Sequence, residues 1–494
     1  MHRSSPTLLR AAVLSLSLLP CACRSTTADA DGARLYEGYG GYHRAITTSS
    51  PEAQRWFDQG LQLLYGFNHD EAIRSFRRAA ELDPDAPMPW WGVAYSNGLD
   101  INNPEVTEEA SRDAWEATQA ALASLDGATP VEQALVRAVE QRYAWPPPTD
   151  RRPLDEAFAA AMEQVWADFP DDPDVGAIYA ESLMNLQPWD LWTHAGEPKG
   201  RTLEIVEVLE RALALDPGHP GANHFYIHTV EASRSPERAV AAAEVLTDLV
   251  PGSGHLVHMP SHIWIRTGRY AEAADANARA IEADQAYFAV APPPDFYSLY
   301  YIHNIHFLAY AAMMEGRYET ALDASRRIAR EVPPEFVEGY TKLADGLMPV
   351  PLHVMIRFGR WEDILSEPAP ADFQLMSRAI RHYARAVAFA NTGRPTEGHA
   401  ELAAFDEVAA QMDDTWLVGN NSGPTVLAIA RAMAEGEVLF KEGRREEGLA
   451  SLREAVRLED QLVYDEPPGW MQPVRHALGA LLLVDGRSEE AEAV

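Results

Sequence analysis

Eight histidines between residues 220 and 360 recur at intervals of three and four: His224 and His228, then His255, His258 and His262, then His303 and His306, with His353 alone. On a helix, steps of three and four residues return to one face. Two imidazoles from one helix can then reach one ion. Neutral imidazole is the commonest metal-binding side chain. Zinc and copper take three to four protein ligands, so eight histidines with a carboxylate suit two or three ions. A shell rich in histidine and poor in carboxylate favours zinc or copper over magnesium, calcium or manganese, with iron admitted if an acid joins. Glu181 and Glu231 are the candidate catalytic acids, as ligands or as general bases on a metal-bound water. A single buried histidine is more often a satisfied core residue. Eight together leave many ring nitrogens in need of partners. A pH-sensitive histidine cluster and an anion pocket remain the alternatives to a metal.

The elements that must position these residues are helical. The chain has 494 residues, 47% of them hydrophobic and 23% charged, with 41 Lys+Arg against 74 Asp+Glu and a net charge of −33. That composition is globular, and its acidity argues against a nucleic-acid surface. Ala, Leu, Glu and Arg dominate, and alternation of strand type is nearly absent. Turns of the form Gly-Arg recur at Gly268-Arg269, Gly316-Arg317, Gly359-Arg360, Gly393-Arg394, Gly443-Arg444 and Gly486-Arg487. Closing Asp-Pro or Val-Pro pairs recur at Pro84, Pro217, Pro251 and Pro333.

This pattern resembles the tetratricopeptide repeat. The clearest case is Phe67–Pro84, with Ala72, Phe76, Ala79 and Pro84 where the second helix of that repeat carries Ala, an aromatic, Ala and Pro. The resemblance covers residues 51–494. It implies an all-α fold, a right-handed superhelical solenoid of helix pairs with insertions near 143–153, 187–200 and 286–300. The segments HLVHMPSHIWIRTGRY and YIHNIHFLAYAAMMEGRY are also similar to bacterial secreted tetratricopeptide proteins related to tetratricopeptide repeat protein 38. That second likeness supports the fold and carries no activity.

A repeat frame set from Gly, Ala and Pro alone places the histidines. With the Gly turn at position 15, His224 and His228 fall at positions 5 and 9, with Glu231 at 12. His255, His258 and His262 fall at 2, 5 and 9, His303 and His306 at 2 and 5, and His353 at 9. Every histidine in the segment 220–357 lies on the stripe that, by the resemblance, lines the concave groove. Of twelve such slots eight hold His, where 16 histidines in 494 residues predict fewer than one. Glu181 falls at position 9 of an earlier repeat. Trp90-Trp91, Asn97, Asn102-Asn103, Trp189, Trp192, His194 and the run Tyr464–Trp470 with His476 are further candidates for groove contacts or for turn packing. His69 reads as structural, and His43, His219, His382 and His399 form no constellation.

The N-terminus reads as a targeting segment over residues 1–30. His2, Arg3 and Arg10 flank an apolar run, Ala11–Leu19, too short to span a bilayer. It ends in Leu-Leu-Pro-Cys-Ala-Cys and resembles a bacterial lipoprotein signal, with Cys23 as the lipidated residue. Soluble secretion with cleavage after Ala30 is the alternative. Cys21 and Cys23 are the only cysteines, so thiol catalysis and thiolate metal sites are excluded elsewhere. No Gly-x-Ser-x-Gly, P-loop, His-Glu-x-x-His or dinucleotide glycine run occurs.

Together these readings predict an exported protein of the periplasm or outer membrane, or a secreted one, touching the membrane only through a lipid. It would carry a divalent transition metal, zinc or copper before iron, and take a small-molecule or peptide ligand in its groove. A metal-dependent hydrolase or oxidase, a metal-delivery protein and a protein-interaction scaffold all remain open.

Overall fold

The computed structural model describes residues 32–39, 41–291 and 296–494. The targeting segment with Cys21 and Cys23 lies outside the described residues. The rest is an all-α array of helix pairs of the tetratricopeptide kind. Consecutive helices pack as hairpins, among them Pro51–Tyr65 with His69–Leu82, Pro87–Ser96 with Glu108–Ala123, Leu375–Asn391 with Pro395–Ala409, and Gly423–Glu442 with Arg445–Glu459. Among the described residues the only paired strands are Leu417–Val418 and Asn421–Ser422, two residues each. No described helix is long and apolar enough to cross a membrane.

The first pair shows how the sequence makes the fold. Ser50 caps the opening helix by accepting from the Ala53 amide at 3.1 Å, and Pro51 occupies the first turn, where no amide donor is needed. Phe76 is fully buried between Gly60 and Gly92. A Cβ on either glycine would come within 2.7 Å of the ring, so glycine sets the close approach of three helices.

The recurrent Gly-Arg dipeptide is a helix stop. Gly268, Gly316, Gly359, Gly393, Gly443 and Gly486 all have φ between 63° and 100°. The amide of each following arginine donates to the carbonyl five residues back, as from Arg269 to Trp264 at 2.8 Å and from Arg394 to Phe389 at 2.8 Å. This is the Schellman closure, which only a residue tolerant of left-handed φ supplies. The guanidinium then lies over an aromatic ring: Arg269 over Trp264 at 3.7 Å and Arg394 over Phe389 at 4.4 Å.

The sequence suggests one continuous array. The structure divides into two compact units, Met1–Asn304 and Ile305–Val494, and the division falls within the helix Ser298–Glu315. The histidine-rich segment therefore contributes to both units. In the second, Ile380, Tyr383, Val387, Met433, Leu452 and Trp470 belong to a shared buried core.

Candidate metal centre

Four helical segments carry the site. His224 and His228 lie on Pro220–Val230, which His219 caps by accepting from the Ala222 amide at 3.0 Å. Glu231 follows as the C-cap residue of that helix. His255 and His258 lie on Gly254–His258 and His262 on Pro260–Arg266. The frame expects one helix here. Two are found, because Pro260 has no amide to donate, but Met259 keeps helical angles and the stripe is preserved. His303 comes from Ser298–Glu315.

Six of the eight predicted histidines converge. His224, His228 and His255 offer ligand atoms that lie within 4.8 Å of one another, and so do His258, His262 and His303. His228, Glu231 and His262 form a third such set between them. Ring centroids are 4.8 Å apart for His224 and His228, 4.9 Å for His224 and His255, 4.7 Å for His258 and His262, and 4.8 Å for His258 and His303. His228 and His262, one from each triad, are 5.5 Å apart.

The tautomers follow from the partners. The Nδ1 of His224 lies 2.7 Å from the carbonyl of Tyr65, which can only accept. The Nδ1 of His258 lies 2.7 Å from Oδ1 of Asn277, whose amide nitrogen donates to the Ala273 carbonyl and so fixes the amide orientation. Glu231 accepts from the Nδ1 of His228 at 2.9 Å and from that of His262 at 2.5 Å. All four rings thus carry hydrogen on Nδ1 and, where neutral, a lone pair on Nε2. An acceptor behind each ring, with Nε2 left for an ion, is the usual outer shell of a histidine-ligated metal.

Those lone pairs are brought face to face. The Nε2 atoms of His258 and His262 are 2.7 Å apart. Neither ring can donate to the other while both are neutral, so a proton on one ring or a metal ion between them would bridge the pair. His224 and His255 meet through Nε2 at 3.1 Å. Two nitrogens on one tetrahedral ion, with bonds of 2.0–2.1 Å, are separated by roughly 3.3 Å. The Nε2 of His228 and the Nδ1 of His255 are buried with no hydrogen-bond partner.

Electrostatics keep the ligands in their binding form. Burial holds His224, His255 and His258 well below the ordinary imidazole range, helped by neighbouring imidazoles, and lowers His228 as well. Burial works to raise Glu231, but the rings of His262 and His228 outweigh it and keep the carboxyl below its usual range. Neutral His224, His228, His255 and His258 beside the Glu231 carboxylate are the protonation state a cation needs.

Aromatic residues wall the site. Phe67 packs on His224 at 4.5 Å, on His255 at 5.5 Å and on His228 at 6.2 Å, and Trp189 meets His228 edge-on at 5.4 Å. Phe67 and Trp189, with φ of 56° and 58°, are the non-glycine residues with positive φ among those described. Both strained positions border this one site, where backbone strain commonly marks function. Tyr300 packs on His255 at 4.4 Å, and Asn102 accepts from the Trp189 indole at 3.1 Å. Beyond Phe67 lies a small cavity of about 100 Å³, also lined by His69, Ser96, Asp100, Asn103 and Tyr297.

The other predicted residues are placed differently. His306 and His353 belong to the second unit and are in none of the ligand sets. The Nε2 of His306 lies 3.4 Å from the Met471 sulfur. Glu181 is buried but is also in none of the sets. It accepts from the Tyr95 hydroxyl at 2.5 Å. Burial pushes it up to about 7, against the hydrogen bond from Tyr95 and the charge of Arg142. His219 pairs with Asp174 at 3.2 Å, and His382 and His399 bond Glu401 and Glu442. Sequence reasoning missed Phe67 and Asn277. Asn277 sits on the helix Tyr270–Phe288, opposite the stripe that carries the histidines.

No family model matches the chain, and no curated protein matches it. Among solved structures it is similar to the Cut9 and Hcn1 hetero-tetramer of the APC/C, at 12% identity over 90% of this chain and 73% of that one, with a TM-score of 0.32. The human IFIT1 dimer with m7Gppp-AAAA gives 12% identity over 91% and 89%, with a TM-score of 0.33. Yeast Tom70 gives 12% over 90% and 84%, with a TM-score of 0.30. Overlaps this low carry no functional argument.

Proposed function

We propose that the protein is a metalloprotein that holds two transition-metal ions in adjacent three-histidine sites. His224, His228 and His255 hold one ion, and His258, His262 and His303 the other. Glu231 braces a ligand of each. The observation that carries this reading is the 2.7 Å approach of two Nε2 atoms whose Nδ1 atoms are already committed to acceptors.

Three protein ligands leave a tetrahedral ion one open position, the feature that separates catalytic from structural sites. An ion there would supply Lewis acidity or an activated water, or with copper or iron a redox couple. An enzyme acting on a small molecule fits this arrangement better than a peptide scaffold does. The buried, aromatic-walled position of the six rings favours a small ligand over a long one. Export, with a lipid on Cys23 or by secretion, is part of the proposal.

The test is elemental analysis of the protein purified without chelators. About two zinc, copper or iron ions per chain are expected, falling sharply in the double variant His258→Ala, His262→Ala and unchanged in His382→Ala, His399→Ala. A protein that stays metal-free after incubation with each ion overturns the reading and leaves the peptide-binding scaffold.

A further inference from the structure

His306 and His353 belong to the second unit and to none of the ligand sets, and their surroundings are of a different kind. The Nε2 of His306 lies 3.4 Å from Sδ of Met471. The two residues flanking that methionine both hold His353: the indole of Trp470 meets its ring edge-on at 5.1 Å, and the amide of Gln472 donates to its backbone carbonyl. The Nδ1 of His353 is buried with no hydrogen-bond partner. Two more thioethers border the same three-residue segment. The Trp470 indole donates to Met433 at 3.1 Å, and the Gln472 amide lies 4.0 Å from Met313.

We infer that His306, Met471 and His353 form a second metal site, selective for a soft monovalent ion such as Cu(I). Thioether sulfur is a poor ligand for hard divalent cations and a good one for Cu(I). Bonds of 2.0–2.1 Å to nitrogen and ~2.3 Å to sulfur at a tetrahedral angle separate the two ligand atoms by roughly 3.5 Å, close to the observed 3.4 Å. All three donors are uncharged. Burial holds His306 down at about 4 and His353 at about 3, the latter also lowered by His306, so both rings are neutral ligands at pH 7. A neutral donor set in a buried position costs least when the ion carries a single charge. The orphaned His353 nitrogen gains a partner when the ion binds. This site is separate from the two-ion centre and does not depend on it.

The experiment uses the full chain carrying His255→Ala and His258→Ala, which removes one ligand from each triad of the first centre. It is titrated with Cu(I) under anaerobic conditions against a colorimetric Cu(I) chelator, and with Ag(I) as a redox-stable probe. One tightly held equivalent is expected, with quenching of Trp470 fluorescence. Met471→Leu, which keeps the side-chain volume, should weaken Cu(I) binding at least thirtyfold, as should His353→Ala. Met376→Leu, a buried methionine elsewhere in the same unit, should change nothing. Zn(II) in tenfold excess should not displace the ion. Unchanged Cu(I) affinity in Met471→Leu, or equal loss in Met376→Leu, would overturn the assignment. Because both triads lack a ligand throughout, failure here is distinct from failure of the two-ion reading.

Discussion

Glu231 and His262 meet at 2.5 Å, and the second oxygen of the same carboxylate takes the Nδ1 hydrogen of His228 at 2.9 Å. One acid therefore orients a ligand in each triad. Glu231→Gln keeps the shape but offers only one acceptor and adds a donor. Loss of such an outer-shell partner typically costs 10–100-fold in metal affinity. Both ions should weaken by that order, read by chelator competition. Weakening of one ion alone would show that the carboxylate serves a single triad.

The two triads should be separable. His255→Ala should remove one of the two ions and His303→Ala the other, leaving about one ion per chain in each variant by elemental analysis. Asn277→Leu, which removes the acceptor behind His258, should weaken only the ion lost in His303→Ala. Loss of both ions in every variant would show a single shared site.

Much of this centre was legible in the sequence, because periodicity fixes which side chains share a helix face. The frame put His224, His228, His255, His258, His262 and His303 on one stripe, and these six converge. It put His306 and His353 on the same stripe, yet neither is in a ligand set. Periodicity assigns a face to each helix but not the neighbour that face meets. The partner of His306 is Met471, 165 residues further on, and no repeat spacing announces it. The left-handed φ of Phe67 was equally hidden, since nothing in a phenylalanine favours that conformation.

Phe67 offers a test of strain. Replacement by alanine loses the ring contacts with three imidazoles and should cost about 3–5 kcal/mol in urea unfolding. Replacement by glycine loses the same contacts but is at home at φ 56°. It should be less destabilising than alanine by about 1 kcal/mol. A glycine variant less stable than the alanine variant would contradict a strained Phe67.

Glu181 gives a pH prediction. Its carboxyl is raised from 4.5 to about 7, chiefly by burial. The folded protein then holds a proton that the unfolded chain releases. The resulting stabilisation is full below about pH 4.5 and is lost as pH rises through 7, with a span of at most about 3 kcal/mol. Asp284, also raised to about 7 by burial, adds to the same trend. The buried neutral histidines push the total the other way below about pH 6.5, so the Glu181 contribution is read as the difference between the Glu181→Gln and wild-type profiles, which should change between pH 5 and 8. A difference between the two profiles that stays constant over that interval would exclude a protonated Glu181.

The bond from His224 to the carbonyl of Tyr65 spans 159 residues, and the helix Pro51–Tyr65 packs against Pro220–Val230. In an ordinary repeat array each unit touches only its neighbours, so the number of repeats drifts freely in evolution. Here the count between the first and the histidine-bearing pair is locked. A duplication or deletion of one repeat inside that interval would pull Tyr65 away from His224 and Phe67 away from three rings at once. Within the first unit, the number of residues between Tyr65 and His224 is therefore part of the candidate site, although none of the intervening repeats supplies a histidine to it.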